Sequence, residues 1–439
     1  MLALLAAHAL AAPAAHKIFP YAYTQEDLPN GLRVITVPAG APNIVSLYII
    51  VQAGSRNEVE PGHTGFAHLF EHLMFKGTPH HSAAQYQDAL TRIGAASNAY
   101  TTEDYTCFHA TFNKEDLPGV LAMEADRFQN LAYTEPEFRT ETQAVLGEYN
   151  TSASNPLTKL REALSDAAFD RGPYKHTVMG FLRDIQDMPN QYDYSRTFFL
   201  RYYRPEYSTI LAVGDVKPRA VRELVDKNWG AWKRGDYRPS IPSDPSRDDS
   251  RTRHVDWPSP TLPLLGIGFR APAYDDTTRD SAALSALAAL AFSDNSDLYQ
   301  RLVIREQKAD ILRASMSWRV DPALFQVTAR VKTASDLDYV RDRILETVKG
   351  FRDKPADAAI LDTVRRRERY SLALRLESCD SIASVLAPFI ALKRSPETLN
   401  RLYDQYAQLT PGDVRAAAAK YLVDSGRTIV TLTGPGAAK

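Results

Sequence analysis

Two histidines and a glutamate stand within five residues of one apolar stretch, Gly65 to Thr78, which reads GFAHLFEHLMFKGT. In a helix, His68 and His72 would lie one turn apart on one face, so both imidazole rings could reach a single metal ion. Glu71 would lie on nearly the same face, three residues after His68. Two neutral nitrogen ligands beside a carboxylate that can accept a proton from water are typical of a hydrolytic metal site.

The alternative is a surface helix on which these polar side chains are simply solvated. Seven apolar residues surround the three polar ones: Phe66, Ala67, Leu69, Phe70, Leu73, Met74 and Phe75. A helix of this composition is expected to be buried, and buried imidazoles and carboxylates need partners. The stretch therefore favours a metal site, although a motif this short also occurs by chance.

A catalytic zinc site typically has three protein ligands and one open position, so a third ligand is needed. The stretch 134–149 predicts a helix, because it opens with a capping-box pattern. Glu141 and Glu148 lie seven apart in it, on one face. Glu124, in a helix predicted over 117–131, is a third candidate. Spacing alone does not choose among the three, and each could instead be a solvated glutamate on an amphipathic helix.

Strands and helices that would position these side chains alternate along the first half of the chain. Turn residues and β-branched runs predict strands, and apolar residues at helical spacing predict helices. The predicted elements are a turn at Asn30-Gly31 followed by a strand over 32–37, a strand over 43–53, a helix over 83–93, a strand pair over 97–112 and a strand over 209–213.

The second half repeats this pattern in outline. Residues 233–260 are rich in proline and charge and lack a periodic apolar pattern, which predicts a linker between an N-terminal domain, 17–232, and a related domain, 261–439. A strand over 262–271 and an apolar helix over 281–292 correspond to the strand and metal helix of the first half, but no second His-x-x-Glu-His occurs. We expect an α+β fold of two related domains that face each other like a clamshell.

Composition narrows the class of protein. A chain of 439 residues with a formal net charge of −1 is typical of a soluble globular protein with more than one domain, and not of a protein that binds nucleic acid or an anionic membrane surface. Cys107 and Cys379 are far apart in apolar surroundings, and we expect buried thiols. No transmembrane span is expected.

The first residues, MLALLAAHALAAPAA, are rich in alanine and leucine, and no arginine precedes Arg33. They predict that residues 1–16 are the remnant of a secretory leader without its basic start, and thus an exported, periplasmic protein.

The chain resembles the insulinase or pitrilysin metallopeptidases, called inverzincins for their His-x-x-Glu-His motif. The resemblance covers the stretch 65–78 and the segment Ser97 to Thr101 (SNAYT). It also includes Glu148, 76 positions after His72, and Glu141, seven residues earlier. The first domain resembles the family nearly end to end, the second in outline only.

This resemblance implies a zinc peptidase that encloses peptide substrates between its two domains. Glu71 would be the general base, and Glu141 would support the ligands by contacting them. The substrate would add as a strand to the edge that contains Asn98 and Ala99. The Zn²⁺ ligands that it implies are His68, His72 and Glu148.

One departure from the family bears on assembly. Family members that act alone have an arginine and, seven residues later, a tyrosine, which hold the substrate and the reaction intermediate. Here Arg305 is present, Leu312 stands at the tyrosine position and Ala309 replaces an expected glycine. Leucine donates no hydrogen bond, so the chain resembles the zinc-bearing subunit of two-chain bacterial members, with the pair supplied by a related partner. Arg305 could also form a surface ion pair.

Two other classes of protein compete with a peptidase. A non-catalytic scaffolding or assembly homologue of the same fold would not need the complete set of candidate residues. A peptide-binding protein with a structural zinc site would not need Glu71 beside the ligands.

Overall fold

A computed structural model describes residues 17–435, and the predicted leader, residues 1–16, lies outside them. The first half forms six strands: β1 (Thr24–Asp27), β2 (Arg33–Pro38), β3 (Ile44–Val51), β4 (Ala96–Thr101), β5 (Thr106–Asn113) and β6 (Ser208–Gly214). Its eight α-helices are α1 (Phe66–Leu73), α2 (Ala83–Arg92), α3 (Leu117–Asn130), α4 (Glu135–Ala153), α5 (Pro156–Ala168), α6 (Leu182–Asp187), α7 (Tyr192–Tyr202) and α8 (Pro218–Trp229).

The second half has five strands: β7 (Arg251–Asp256), β8 (Leu264–Arg270), β9 (Ala309–Met316), β10 (Leu324–Val331) and β11 (Thr428–Thr433). Its helices are α9 (Asp280–Phe292), α10 (Asp297–Tyr299) with a π-helical turn over Gln300–Arg305, α11 (Leu337–Asp353), α12 (Ala358–Leu374), α13 (Cys379–Lys393), α14 (Glu397–Gln408) and α15 (Pro411–Tyr421). The described residues contain no helix that is both long and apolar enough to cross a membrane.

The first half folds around the six-stranded sheet β1-β2-β6-β3-β5-β4. The central strand β3 buries both of its faces, because alternate side chains of a strand point in opposite directions. Leu47 and Ile49 pack with α1 and α3 on one face, while Tyr48 and Ile50 belong to the core on the other face. This double burial explains why the predicted strand has an almost continuous apolar sequence.

The five-stranded sheet β7-β11-β8-β10-β9 repeats the order of β2-β6-β3-β5-β4 strand for strand. In these two series β2 pairs in parallel with β6 and β7 with β11, and all other neighbours pair antiparallel. The outline repeat predicted from the sequence is therefore a repeat of sheet topology. The prediction of two related α+β halves is confirmed.

Each half contributes one helix to the sheet of the other half. Helix α5 packs on β7, β8 and β11 of the second sheet, and α13 packs on β3 and β6 of the first. Leu160 and Leu164 of α5 lie over Gly266 and Gly268 of β8, where the absence of a side chain lets the helix come close to the strand.

The predicted linker is not wholly irregular. Its residues 251–256 form β7, which pairs in parallel with β11. The sequence did not predict strand β7, because this edge strand is mostly exposed and has no apolar alternation. The domain boundaries themselves remain a prediction.

The halves meet at the loop after β4 and at the hairpin between β9 and β10. Arg56 forms an ion pair with Asp321, and Glu103 forms one with Arg319. Both cysteines are buried free thiols, as expected.

Candidate metal centre and the adjoining cleft

Helices α1 and α4 bring the two histidines and Glu148 together. The Nε2 atom of His68 lies 3.6 Å from Oε2 of Glu148, and the Nε2 atom of His72 lies 3.5 Å from the same oxygen. Ligand atoms about 2.0–2.1 Å from a tetrahedral zinc are roughly 3.3 Å apart, so these two separations fit a shared zinc ion. The ligand atoms of all three side chains lie within 4.8 Å of one another. Within residues 17–435, these three side chains are the group with metal-ligand spacing.

Glu141 lies behind His72. Its Oε2 atom is 3.4 Å from Nδ1 of His72, and its other oxygen forms an ion pair with Lys76. The hydrogen bond with His72 lowers the pKa of Glu141 to about 2, and the same contact raises the pKa of His72. A carboxylate at Nδ1 fixes the imidazole tautomer that presents Nε2 to a metal.

Of the three glutamates left open by spacing, Glu124 lies elsewhere. It is buried, accepts a hydrogen bond from the hydroxyl of Tyr86 at 2.5 Å and pairs with Arg127. Glu124 therefore balances the charge of the buried Arg127 in the core and does not face the histidines.

Glu71 lies beside the ligand group and is held by strand β4. The hydroxyl of Thr101 donates a hydrogen bond of 2.7 Å to Oε2 of Glu71. Burial raises the pKa of Glu71, while the Thr101 hydrogen bond acts in the opposite direction. A carboxylate with a raised pKa is suited to accepting a proton near neutral pH.

Burial also lowers the pKa of His68 to about 4, so this imidazole is neutral at physiological pH. A neutral imidazole is the form that binds a metal.

The start of helix α1 is held by a residue that the sequence did not single out. Gly65, with a φ of +91°, precedes the helix and offers no side chain to cap it. Glu58 takes that role, because its carboxylate accepts hydrogen bonds of 2.7 Å from the backbone N–H groups of Gly65 and Ala67. The contact fixes the first turn of the helix that carries His68, and only the position of Glu58 shortly before a helix could have suggested it.

Asn98 and Ala99 lie on β4, at the edge of the first sheet. Their strand pairs with β5 on one side only, at Asn98 with His109 and at Ala99 with Phe108. Because Thr101 of the same strand contacts Glu71, the open edge of β4 runs beside the metal group. An extended peptide could pair with this edge.

A cavity of about 550 Å³ lies between the halves, next to this group. Ser152, one turn beyond Glu148 on α4, and Glu103, two residues beyond Thr101, line its first-half side. Residues of β9 and β10 line the opposite side. The lining does not include the metal group itself, which adjoins the cavity through Ser152 and Glu103. The group and the cavity are together termed the cleft.

Residues 33–181 match the family model described as insulinase (peptidase family M16), and residues 191–368 match the one described as peptidase M16 inactive domain. The chain belongs to the insulinase family. The second match covers the half that has no His-x-x-Glu-His motif.

Relatives of similar length share this family. The zinc protease PqqE of Helicobacter pylori is 27% identical over 412 residues, which cover 92% of this chain and 91% of the relative. A probable mitochondrial-processing peptidase subunit beta of Arabidopsis thaliana is 26% identical and is covered over 77% of its length, against 93% of this chain. The crystal structure of a protease from Helicobacter pylori superposes with a TM-score of 0.87 at 27% identity, covering 94% of this chain and 99% of that one.

Leu312, which stands at the tyrosine position of the family pattern, does not line the cleft. Its side chain is only 3% exposed and lies in the core beside Ala329. Asp310 is an extra residue in β9, because Ala309 pairs with Val331 while Ile311 pairs with the preceding residue of β10. This bulge turns Leu312 away from the cleft.

Arg313, which the sequence reading missed, is the β9 side chain that lines the cleft at this point. Arg305 ends the π-helical turn and is exposed, and it forms no ion pair within the described chain. The surface ion pair considered for Arg305 is therefore absent, and its substrate contact stays a prediction.

Proposed function

We propose that the chain is a zinc-dependent endopeptidase that hydrolyses peptides or unstructured segments held between its halves. The observation that carries the proposal is the convergence of His68, His72 and Glu148 at distances that fit one zinc ion, with Glu71 beside them. When bound, zinc would lower the pKa of a water molecule and polarise the scissile carbonyl.

Glu71 would act as the general base. Its carboxylate accepts the proton of the attacking water and passes it to the leaving amine, and the Thr101 hydrogen bond keeps the carboxylate oriented for both transfers. Glu141 holds His72 in the tautomer that binds metal, and Lys76 holds Glu141.

The substrate would bind as an added strand along β4, with Asn98 and Ala99 providing backbone hydrogen bonds. This position places a peptide bond beside Glu71, because Thr101 of β4 already contacts that side chain. Backbone pairing binds peptides of many sequences, so it accounts for binding rather than for preference.

We also propose that the chain works as the zinc-bearing subunit of a heterodimer, with Arg305 or a partner's arginine and tyrosine completing the site. Leu312 is buried and donates no hydrogen bond, and the second-half wall of the cleft, as described, contains no tyrosine. One relative is named as a subunit. Full hydrolytic activity of the purified chain without a related partner would contradict the heterodimer.

The experiment that tests the enzymatic proposal measures zinc content and peptide hydrolysis for the wild type and for Glu71→Gln. We expect zinc retention with kcat/KM lower by roughly 10²–10⁴-fold, because only the proton acceptor is lost. Glu115→Gln, an exposed glutamate outside the cleft, is the matched control and should change neither quantity.

A non-catalytic scaffolding homologue is the second candidate. It would bind zinc or peptide without turnover, and Glu71→Gln would then have no hydrolysis to reduce. Export to the periplasm is a separate proposal that rests on the first sixteen residues and is tested by fractionation of the native cells.

A further inference from the structure

The second-half wall of the cleft is polar and basic. Alternate residues of β9 and of the hairpin after it line the cavity: Arg313, Ser315, Ser317 and Arg319. On β10, the amide of Gln326 and the hydroxyl of Thr328 line it beside Leu324. This face stays open because α5 covers β8 and β11 but stops short of the β9 edge.

Helix α5 adds a second polar row beside that wall. Thr158, Arg161 and Ser165 all line the cavity, at the three- and four-residue spacing of one helix face. The adjacent face of α5 carries the leucines that pack on β8. The exchange of α5 between the halves therefore brings Arg161 of the first half and Arg313 of the second into one cavity.

The charges of the cavity do not cancel. Arg319 is neutralised by its ion pair with Glu103. Within residues 17–435, Arg161 and Arg313 have neither an ion pair nor a side-chain hydrogen bond, and Glu103 is the one carboxylate that lines the cavity. Arginine holds carboxylates through two parallel N–H donors, and a partly enclosed cavity screens such contacts less than bulk water does.

We propose that this cavity is a carboxylate-binding subsite, in which Arg161 and Arg313 select peptide substrates with an acidic side chain or a free C-terminal carboxylate beyond the β4 edge. The proposal rests on the proposed peptidase function. Two lining residues lie close in the chain to residues of the site: Ser152 is one helical turn from Glu148, and Glu103 is two residues from Thr101.

The test compares matched pairs of fluorogenic peptides that differ by Glu or Gln at one position on either side of the cleaved bond. A third pair differs by a free or an amidated C-terminus, which separates the two sources of carboxylate. We expect kcat/KM to be about tenfold higher for the acidic member of at least one pair, as a charge-assisted hydrogen bond provides. The preference should decrease as salt concentration rises.

The double variant Arg161→Gln/Arg313→Gln should reduce the acid-to-amide ratio towards one. The double variant Arg161→Glu/Arg313→Glu should instead favour a Lys-containing peptide over its Gln counterpart, a gain that misfolding cannot produce. Arg367→Gln, an exposed arginine on α12 that forms no ion pair with another described residue, is the control and should keep the wild-type ratio.

Equal kcat/KM within every pair, or a preference that survives both double variants, would overturn the subsite. Absence of hydrolysis for all peptides would count against the proposed function alone. In that event, binding of the same labelled pairs to the zinc-loaded Glu71→Gln chain, measured by fluorescence anisotropy, decides the subsite independently, and equal affinities would reject it.

Discussion

The two halves share one sheet topology but differ in the helix that follows their central strand. After β3, helix α1 carries two histidines and a glutamate that face α4. After β8, helix α9 buries nine residues, mostly alanine and leucine, and none of them is a histidine or a carboxylate. The sheets therefore fix the architecture, and the chemistry depends on a few side chains of helices packed against them.

The second half has structural roles, although its described residues contain no metal group. It supplies one wall of the cavity and receives α5 from the first half, while α13 completes the core of the first sheet. Each half thus has part of its core built by the other. A half without ligands still determines where substrate can lie.

The largest expected effect comes from removing a metal ligand that the first half has and the second half lacks. Glu148→Gln removes a charged ligand, so the chain should lose zinc affinity and several kcal/mol of transition-state stabilisation, a decrease in kcat/KM of roughly 10³-fold. Zinc content and peptide hydrolysis measure it. Glu368→Gln on α12, the topological counterpart of α4, should change neither, and an equal loss there would contradict the assignment of chemistry to α1 and α4.

A smaller effect tests the exchange of helices. Leu164→Ala on α5 and Leu386→Ala on α13 each remove a buried side chain where one half packs on the other. Each should cost about 2–5 kcal/mol of unfolding free energy. Because each half packs on a helix that the other half contributes, we expect a single cooperative transition in each variant.

Denaturant unfolding followed by circular dichroism and by tryptophan fluorescence measures this cooperativity. Leu200→Ala, at a site that is 56% exposed, is the control and should change the midpoint little. Two separate transitions, with only one shifted by each variant, would show that the halves are independent in solution.

The sequence predicted the features that depend on neighbours in the chain. The His-x-x-Glu-His helix, the capping box at Thr134 and the nearly continuous apolar run of β3 are patterns within a few residues, and the structure contains all three. The family resemblance then chose Glu148 and Glu141 over Glu124, which spacing could not do.

The features that the sequence did not predict depend on contacts between residues far apart in the chain. Strand β7 exists because it pairs with β11, more than 170 residues later. Glu58 acts by reaching the start of α1, and the bulge at Asp310 reverses which β9 residues face the cleft. Periodicity within one segment contains no information on such pairing, so Arg313 could not be recognised as a cleft residue.

The smallest expected effect tests whether the halves stay closed on each other. Asp104, in the loop after β4, accepts a hydrogen bond from the hydroxyl of Tyr174 at 2.6 Å and one from the backbone N–H of Val320 in the second half. Burial raises the pKa of Asp104 above its ordinary value of 3.8, although Arg319 and these hydrogen bonds act against the increase. The folded chain therefore holds this proton more tightly than the unfolded chain.

The sign of the pH dependence follows from linkage. Just above pH 3.8 the folded state binds more protons at Asp104 than the unfolded state, so this contribution to stability falls as pH rises towards the folded-state pKa. Asp104→Asn should remove that part of the slope when the unfolding free energy of the zinc-free chain is measured against pH. Asp310→Asn is the matched control of opposite sign, because a hydrogen bond from Arg330 lowers the pKa of Asp310 and its contribution is lost as pH falls. An unchanged slope for Asp104→Asn would mean that water reaches Asp104, and hence that the two halves separate in solution.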